Sequence, residues 1–349
     1  MPQNALRKLI AREHLTRQEA TAVLNALVEG EASPALIGAL LVALRMKGET
    51  VEEVTGFALE MRARAVPVRP RSAPLLDTCG TGGSAFRVFN VSTCAAFVAA
   101  AAGIAVAKHG NRAMTGVCGS ADVLEALGVR VDLTPEQCAA CIDAIGIGFL
   151  FAQRHHPAMK RLSGPRREIG VRSIFNLLGP LTNPAGATLQ AMGVYDGALC
   201  PLVAGALREL GSVRALVFHG EIGLDEIATI GPTRICELRD GQILESVLTP
   251  ADLGFFGPEP DPEHLAPAPT PEANALLVRE ALAGQGDSLP VRARRDLIAA
   301  NAAAALRVCG RAEAWPDAVR RAQELIASGN ALAVLERLIA FTQSLPAST

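Results

Sequence analysis

A glycine-rich segment in the first third of the chain has the composition of an anion-binding turn. It reads Asp77-Thr78-Cys79-Gly80-Thr81-Gly82-Gly83-Ser84 and follows a short apolar run. Glycines let backbone N–H groups approach an anion closely, and the N-terminus of a following helix adds unpaired N–H groups and a positive dipole end. The segment matches neither a Walker loop nor a dinucleotide-binding motif. It predicts a phosphate site, with a tight turn before an N-cap as the simpler alternative.

Two further segments are expected to face the same crevice. The helix after the turn begins within Phe89-Asn90-Val91-Ser92-Thr93, and the next apolar run ends in Lys108-His109-Gly110-Asn111-Arg112. Ligands of open α/β sheets gather at the carboxyl ends of the strands. Lys108 would supply a point charge for a phosphate, and Asn111 both a donor and an acceptor. His109 is either a general base or, more commonly for a histidine beside glycine, a side chain fixed by its backbone neighbours.

Two adjacent carboxylates, Asp225 and Glu226, follow an apolar run at residues 215–218. Magnesium is commonly held by one or two carboxylates together with substrate phosphates. The pair is therefore a reasonable cation site, and a solvated loop is the alternative for the pair taken alone.

The elements that must position these residues fall into three parts. The first sixty or so residues predict four short helices, with capping boxes at Thr16 and Thr50 and an N-cap at Ser33. Residues 67–74 have the composition of a linker. Apolar runs then alternate with helical segments, which predicts right-handed crossovers and a mainly parallel sheet. The predicted strands are 74–77, 104–107, 129–132, 147–151 and 215–218; helices are predicted after Ser92, over 122–127, after Thr134, and over most of the chain from about Pro271.

Composition excludes several classes of protein. Half of the 349 residues are apolar, and 33 Lys and Arg oppose 35 Asp and Glu, so neither a disordered chain nor a field that attracts polyanions is expected. The longest apolar stretch, 94–107, is shorter than the ~20 residues that span a bilayer, and no secretory signal is expected at the N-terminus. Eight cysteines at low density predict a reducing cytoplasm. Cys138 and Cys141 are expected on the core face of a helix rather than in a metal or redox site.

Several motifs, in their order and spacing, carry a family resemblance. They are Gly80-Thr81-Gly82-Gly83, Asn90-Val91-Ser92-Thr93, Lys108-His109-Gly110-Asn111-Arg112, Gly119-Ser120-Ala121-Asp122, His156-Pro157-Ala158-Met159-Lys160, the run from Arg166 to Pro184, and Asp225-Glu226. Together they resemble the anthranilate phosphoribosyltransferases of tryptophan biosynthesis over nearly the whole chain. The most specific stretch is 173–184.

The resemblance implies a small helical N-terminal domain and a larger α/β domain with a mainly parallel sheet, of nucleoside phosphorylase/phosphoribosyltransferase type. The expected boundaries are 1–70 for the helical domain, joined by part of 163–185, and 74–349 for the α/β domain. The implied reaction transfers 5-phosphoribose from phosphoribosyl pyrophosphate (PRPP) to the amino group of anthranilate, giving N-(5-phosphoribosyl)anthranilate and pyrophosphate. Mg²⁺ is the implied cofactor. A cytoplasmic homodimer formed through the N-terminal helices is expected, without a membrane or nucleic-acid partner.

Matched positions imply three sets of site residues. The donor-binding residues are Gly80, Thr81, Gly82, Gly83, Ser84, Asn90, Val91, Ser92, Thr93, Lys108, His109, Gly110, Asn111, Arg112, Thr115, Gly116 and Ser120. The acceptor-binding residues are Gly80, Asn111, His156, Arg166 and Pro180. The metal ligands are Ser92, Asp225 and Glu226. Arg166 can pair bidentately with the acceptor carboxylate, whereas Arg161, Arg167 and Arg172 are interpreted as surface or structural charges. No general base is assigned, because the lone pair of an aryl amine is available at neutral pH.

Departures from the family pattern concentrate in the loops that are expected to bind the phosphoribosyl donor. Ser84 and Val88 stand where the family usually has Asp and Thr, and residues 114–118 replace a serine-rich segment. Two alternatives therefore stay open. One is a paralogue that uses another aromatic acceptor or an altered donor. The other is a non-catalytic nucleic-acid binder on the same scaffold, against which the near-neutral charge and scarce aromatic residues argue.

Overall fold

Four helices form the first part of the chain, as their start signals predict. In the computed structural model, which describes residues 1–113 and 116–346, they are α1 (Pro2–Ile10), α2 (Arg17–Glu29), α3 (Pro34–Lys47) and α4 (Val51–Ala63). Thr16 with Glu19 and Thr50 with Glu53 form complete capping boxes, and the Ser33 side chain caps α3. Each cap satisfies backbone N–H groups that a helix start leaves unpaired, so the three predicted helix starts are confirmed.

A seven-stranded sheet follows the linker. Its strands are β1 (Leu76–Gly80), β2 (Val106–Gly110), β3 (Ile147–Phe151), β4 (Leu189–Gly193), β5 (Arg214–Gly220), β6 (Thr233–Arg239) and β7 (Gln242–Leu248). They lie in the order β3-β2-β1-β4-β5-β6-β7, with β1 to β5 parallel and β6 and β7 antiparallel. The predicted fold class, with a helical N-terminal domain and a mainly parallel α/β sheet, is confirmed.

Helices connect and cover the strands. They are α5 (Val91–Ala101), α6 (Ser120–Leu127), α7 (Pro135–Ile145), α8 (Ala152–His155), α9 (Ser163–Ile169), α10 (Phe175–Leu181), α11 (Cys200–Glu209), α12 (Pro271–Leu282), α13 (Leu289–Val308), α14 (Trp315–Ala327) and α15 (Asn330–Ser344), with short 3₁₀ turns at Pro157–Leu162, Gly197–Leu199 and Pro262–Leu265. α5 packs against β1 and against α13, and nearly all of its residues are buried. A buried run of alanines at 302–305 lets α13 approach α5 closely.

The strand predicted at residues 129–132 is wrong. β2 and β3 pair directly with each other, which leaves no position for another strand between them. The backbone N–H of Val129 instead closes the end of α6, and the N–H of Arg130 donates to Thr342 Oγ1 at 3.2 Å. Val129 and Val131 are buried while Asp132 is exposed, so the alternating pattern belongs to an extended connection. β1 and β2 also begin two residues later than predicted.

The segment that carries Arg166 packs against the N-terminal helices. α9 contacts α3, and α10 contacts α4. Phe57 of α4 meets Phe175 of α10 edge to face, with ring centroids 6.2 Å apart. These contacts place two of the residues predicted to bind the acceptor, Arg166 on α9 and Pro180 on α10, against the helical part of the molecule.

The cysteine prediction is confirmed for the helix α7. Cys138 and Cys141 are buried in the core and all eight cysteines are free thiols. Over residues 1–113 and 116–346, no single helix is long and apolar enough to cross a membrane. One bent pair, α14 and α15, has the necessary length and apolar composition only when its two helices are combined.

Candidate active site

The carboxyl ends of the parallel strands meet where the strand order reverses. β1 lies between β2 and β4, so the connections that leave β1 and β4 diverge and open a crevice. Four strands end there in glycine, at Gly80, Gly110, Gly193 and Gly220. The predicted crevice thus lies at the switch point of the sheet, and its walls are backbone groups with little side-chain bulk.

The glycine-rich turn after β1 is held by the ends of β4 and β5. Thr81 donates its N–H to the carbonyl of Gly193 at 3.0 Å, and the Thr81 hydroxyl accepts from the N–H of Tyr195 at 2.9 Å. Asp225 binds the other side of the turn: its Oδ2 accepts from the Gly82 N–H at 2.8 Å, and its Oδ1 from the Ser84 hydroxyl at 2.6 Å. Asp225 therefore orders the turn and does not extend as a solvated loop residue.

Two glycines make the approach of Asp225 possible. A Cβ at Gly80 would lie 2.6 Å from Asp225 Oδ2, and a Cβ at Gly193 would lie 1.7 Å from the Asp225 carbonyl oxygen. Contacts this short exclude any side chain at either position. The glycines thus allow the β5–β6 turn to lie against the glycine-rich turn after β1.

Two N–H groups of the turn are available to a ligand. Within the described part of the chain, the amides of Gly83 and Ser84 donate to no other group. Asn90, the N-cap of α5, donates its Nδ2 to the Cys118 carbonyl at 3.2 Å, while its buried Oδ1 has no partner among the described residues. The turn therefore offers backbone donors of the kind that bind a phosphate.

Lys108 is buried on β2 and reaches the N-terminus of α5. Its Nζ donates to the Thr78 carbonyl at 2.6 Å and lies 3.5 Å from Ser92 Oγ. Burial lowers the pKa of Lys108, and the carboxylates of Asp77 and Glu226 act in the opposite direction. An ammonium held in this way is a preorganised partner for a phosphate group.

Asp225 and Glu226 lie in the turn between β5 and β6. Burial first, and then the neighbouring Asp225 carboxylate, hold the pKa of Glu226 well above its ordinary value; Lys108 and the Ser92 N–H act in the opposite direction. A divalent cation would relieve the repulsion between these carboxylates, so the residues fit Mg²⁺. Within residues 1–113 and 116–346 no group of three or more His, Cys, Asp or Glu could hold a metal. Two carboxylates are nevertheless enough for an Mg²⁺ ion that also binds substrate phosphates.

Arg166, the predicted partner of the acceptor carboxylate, is partly buried on α9. Its guanidinium lies over the ring of Phe175, 4.9 Å from the centroid, and no carboxylate in the described residues lies within ion-pair distance of it. Burial lowers its pKa. A partly buried cation without a counterion can accept an anionic ligand with little competition from the protein.

His109 and His156 form a buried pair beside this segment. Their ring centroids are 5.1 Å apart, and His109 Nδ1 lies 3.0 Å from the carbonyl oxygen of Gly179. Burial, followed by His156, lowers the pKa of His109 to about 3, and burial, followed by His155, lowers that of His156 to about 4. Both rings are therefore neutral near pH 7, and the Nε2 atom of each has no partner among the described residues. Pro180 is buried on α10, where its carbonyl accepts from Gln190 at 2.6 Å.

The remaining predicted residues differ in how they are engaged. Asn111 Oδ1 accepts from the Arg112 N–H at 2.8 Å, and the Asn111 carbonyl accepts from the Ser120 hydroxyl at 3.3 Å. Arg112 pairs with Asp122 at 3.0 Å and with Glu125, so its charge is already balanced on α6. The side chains of Val91 and Thr93 are buried and Gly116 is exposed. The predicted donor residue Thr115 lies outside the described residues.

Two residues that position the site lie inside the quoted motifs, but the sequence analysis assigns them no role. Asp77 is buried on β1; its Oδ1 accepts from the His109 N–H at 3.2 Å and its Oδ2 from Asn183 Nδ2 at 2.8 Å. Asn183 also donates to the Ala107 carbonyl at 2.7 Å. These bonds tie β1 and β2 to the turn after α10. An ionisable residue inside an apolar strand is the signal that could have identified Asp77.

Comparison with known families defines the class of protein. Residues 72–332 match the α/β domain of the glycosyl transferase family, and residues 3–65 match the helical bundle domain of that family. Together with the glycine-rich turn at the switch point, these matches define a glycosyl transferase of this class.

Relatives that match over their full length identify the family within this class. The anthranilate phosphoribosyltransferase of Anaeromyxobacter sp. (strain K) is 51% identical over 98% of this chain and 99% of the relative. The crystal structure of the Thermus thermophilus enzyme of the same name has a TM-score of 0.89 and 43% identity, covering 97% of this chain and 99% of that one. The Saccharomyces cerevisiae enzyme in complex with PRPP and Mg has a TM-score of 0.87 and 27% identity, covering 99% and 98%. The chain belongs to the anthranilate phosphoribosyltransferase family.

Proposed function

We propose that this protein transfers 5-phosphoribose from PRPP to the amino group of anthranilate and releases pyrophosphate. The observation that carries the proposal is the buried Lys108 ammonium beside Ser92 Oγ at the start of α5, next to a turn whose Gly83 and Ser84 amides are free within the described chain. A PRPP complex with Mg and a 4-fluoroanthranilate complex are known for the Saccharomyces cerevisiae relative. Ligands of the same classes suit the Lys108 ammonium, the Gly83 and Ser84 N–H groups and the Arg166 guanidinium of this chain.

The donor half of the reaction needs charge stabilisation. Negative charge develops on pyrophosphate as the bond from its oxygen to the anomeric carbon breaks, and preorganised N–H groups with an ammonium stabilise that charge. The amides of Gly83 and Ser84, the Ser92 hydroxyl and Lys108 would take this role. Asp225, Glu226 and Ser92 would hold Mg²⁺, which when bound neutralises part of the pyrophosphate charge.

The acceptor half needs positioning more than base catalysis. Arg166 would bind the anthranilate carboxylate in a bidentate pair, while Pro180 and the neutral His156 line the ring. The amine lone pair is free at neutral pH, so holding the nitrogen beside the anomeric carbon supplies much of the acceleration. The nitrogen forms the new N–C bond as the C–O bond to pyrophosphate breaks, and it then loses one proton to solvent water.

An activity assay tests the proposal directly. Purified protein with Mg²⁺, PRPP and anthranilate should consume the anthranilate fluorescence, and the signal should stay constant when PRPP is omitted. Absence of turnover at high concentrations of both substrates would overturn the proposal. Turnover only with another aromatic amine would instead favour a paralogue with a different acceptor.

We also propose a homodimer formed through the N-terminal helices. Ile10 at the end of α1 and Met46 on α3 expose large apolar side chains, 70% and 69% accessible, and Arg12 donates to the Met46 carbonyl at 3.1 Å. These features support an apolar contact surface on this unit. Light scattering should give twice the chain mass for the wild type and the chain mass for an Ile10→Lys, Met46→Lys variant. A monomeric wild type would overturn the proposal.

The proposed domain division follows the packing of the helices. We propose that the helical unit contains residues 1–70 and part of 163–185, because α9 packs on α3 and α10 on α4, with 74–349 as the α/β unit. We also propose a cytoplasmic location, which the eight free thiols support. Cell fractionation with detection of the native chain tests the location.

A further inference from the structure

Arg172 joins the segment that carries Arg166 to the glycine-rich turn. It lies in the connection between α9 and α10, and its Nη2 donates to the carbonyl oxygen of Gly83. Its guanidinium also lies over the ring of Tyr195, 4.3 Å from the centroid. No carboxylate of the described chain lies within ion-pair distance of Arg172, so this cation is directed at a neutral carbonyl and an aromatic ring.

Tyr195 connects the same turn to β4. Its backbone N–H donates to Thr81 Oγ1 at 2.9 Å, and its ring is buried under the guanidinium. The ring that supports Arg172 is therefore fixed to the turn whose carbonyl Arg172 binds. A guanidinium stacked on an aromatic face keeps its N–H groups in one plane and one direction.

The bond to Gly83 has a consequence for the next amide. The C=O and N–H groups of a trans peptide point in opposite directions, so a carbonyl held on one side aims the following N–H to the other. The Ser84 N–H follows the Gly83 carbonyl and donates to no group in the described structure, while the Ser84 hydroxyl is bound to Asp225 at 2.6 Å. The turn is thus fixed at its carbonyl and at its hydroxyl, with the N–H left for a ligand.

We propose that Arg172 is a positioning residue for the phosphoribosyl donor: it holds the Gly83 carbonyl so that the Ser84 N–H is presented to a donor phosphate. This inference rests on the proposed function. Because Arg172 belongs to the connection that begins at the acceptor-binding helix α9, it also links the two halves of the site. In this role Arg172 acts through the turn, so its effect should fall on donor binding.

Calorimetric binding of PRPP with Mg²⁺ to Arg172→Gln, combined with steady-state kinetics, tests the proposal. The Kd and KM for PRPP should rise about tenfold, the size expected for one charged hydrogen bond. The kcat and the KM for anthranilate should stay within about twofold of the wild type. Arg167→Gln removes an exposed charge from α9, the helix that precedes Arg172, and should leave all four constants unchanged.

Substitutions at Tyr195 test the support for Arg172. Tyr195→Phe keeps the ring and the backbone N–H, so PRPP binding should match the wild type. Tyr195→Leu removes the stacking and should raise the Kd for PRPP about threefold. Arg172→Lys keeps a charged donor without the planar fork and should recover part of the affinity lost in Arg172→Gln. These variants keep the test valid if Arg172→Gln does not fold.

Two results would overturn the inference. One is wild-type affinity for PRPP in both Arg172→Gln and Tyr195→Leu. The other is an equal rise in the KM for both substrates, which a merely structural role would produce. A wild-type protein that binds no PRPP would instead overturn the proposed function, and the inference with it.

Discussion

Asp77 and Asn183, which are 106 positions apart in the sequence, form a buried hydrogen bond of 2.8 Å beneath the candidate active site. Both carboxylate oxygens of Asp77 face N–H donors, one from Asn183 and one from the backbone of His109. Asn183 cannot turn its amide around without losing its bonds to the Ala107 carbonyl and the Ala185 N–H. The site at Asp77 therefore requires two acceptor oxygens.

The variant Asp77→Asn should lower the free energy of unfolding by about 1–3 kcal/mol, because an amide N–H would face another N–H donor. Urea unfolding at pH 7 measures the change. Asp252→Asn, at an exposed turn, should cost less and serves as the control. A variant as stable as the wild type would show that the two acceptor bonds are dispensable.

The buried histidine pair predicts a loss of stability in acid. The folded state lowers the pKa of His156 to about 4, below the ~6.5 of an unfolded chain. As the pH falls through 6.5, the unfolded state takes up a proton that the folded state does not, so stability falls. At pH 5 this costs about 2 kcal/mol for each such histidine.

Urea unfolding of the wild type and of His156→Phe at pH 8 and pH 5 tests this expectation. The wild type should lose about 2 kcal/mol more than the variant over this range, since the variant has one fewer buried histidine to protonate. Equal losses in the two proteins would mean that His156 titrates normally in the folded state.

Arg166→Ala should weaken acceptor binding selectively. Removing the proposed charge-assisted contact should weaken anthranilate binding by on the order of 1.5–3 kcal/mol and raise the KM for anthranilate accordingly. The KM for PRPP should stay unchanged. The matched control is Arg167→Ala, which removes an exposed arginine from the next position of the same helix. Unchanged acceptor kinetics in Arg166→Ala would remove its assigned role.

Glu226→Gln should separate metal binding from folding. The Mg²⁺ concentration for half-maximal activity should rise about tenfold or more. The Tm should stay the same or rise, because burial disfavours the charge of Glu226 and the amide removes it. Glu221→Gln, in the same turn but at a surface ion pair with Arg234, should change neither property. A large fall in Tm with unchanged Mg²⁺ dependence would make Glu226 a structural residue.

Local signals in the sequence predict where helices and strands lie better than they predict which elements pack together. The capping residues Thr16, Ser33 and Thr134 correctly mark helix starts, and β3 occupies the predicted residues 147–151. The pattern at Val129 is misleading because alternating burial occurs in any extended segment packed on one side. β7 is largely exposed, so it lacks the apolar run that marks a buried strand.

The residues of the candidate site show the same difference between local signals and tertiary contacts. Lys108 and the glycine turn are recognisable because their chemistry lies in short motifs. Arg172 and Gly83 are 89 positions apart, and nothing near Arg172 in the sequence distinguishes it from a surface arginine. Contacts of this kind arise only when α9 and α10 pack on the helical unit and reach back to the sheet.

If one crevice joins PRPP to anthranilate, pyrophosphate and the phosphoribosylated product form in equal amounts. Pyrophosphate release and anthranilate loss should be measured in the same reaction with Mg²⁺. We expect one pyrophosphate for each anthranilate consumed, and no pyrophosphate when anthranilate is omitted. Pyrophosphate released without loss of anthranilate would contradict it, because the crevice would then hydrolyse the donor without binding this acceptor.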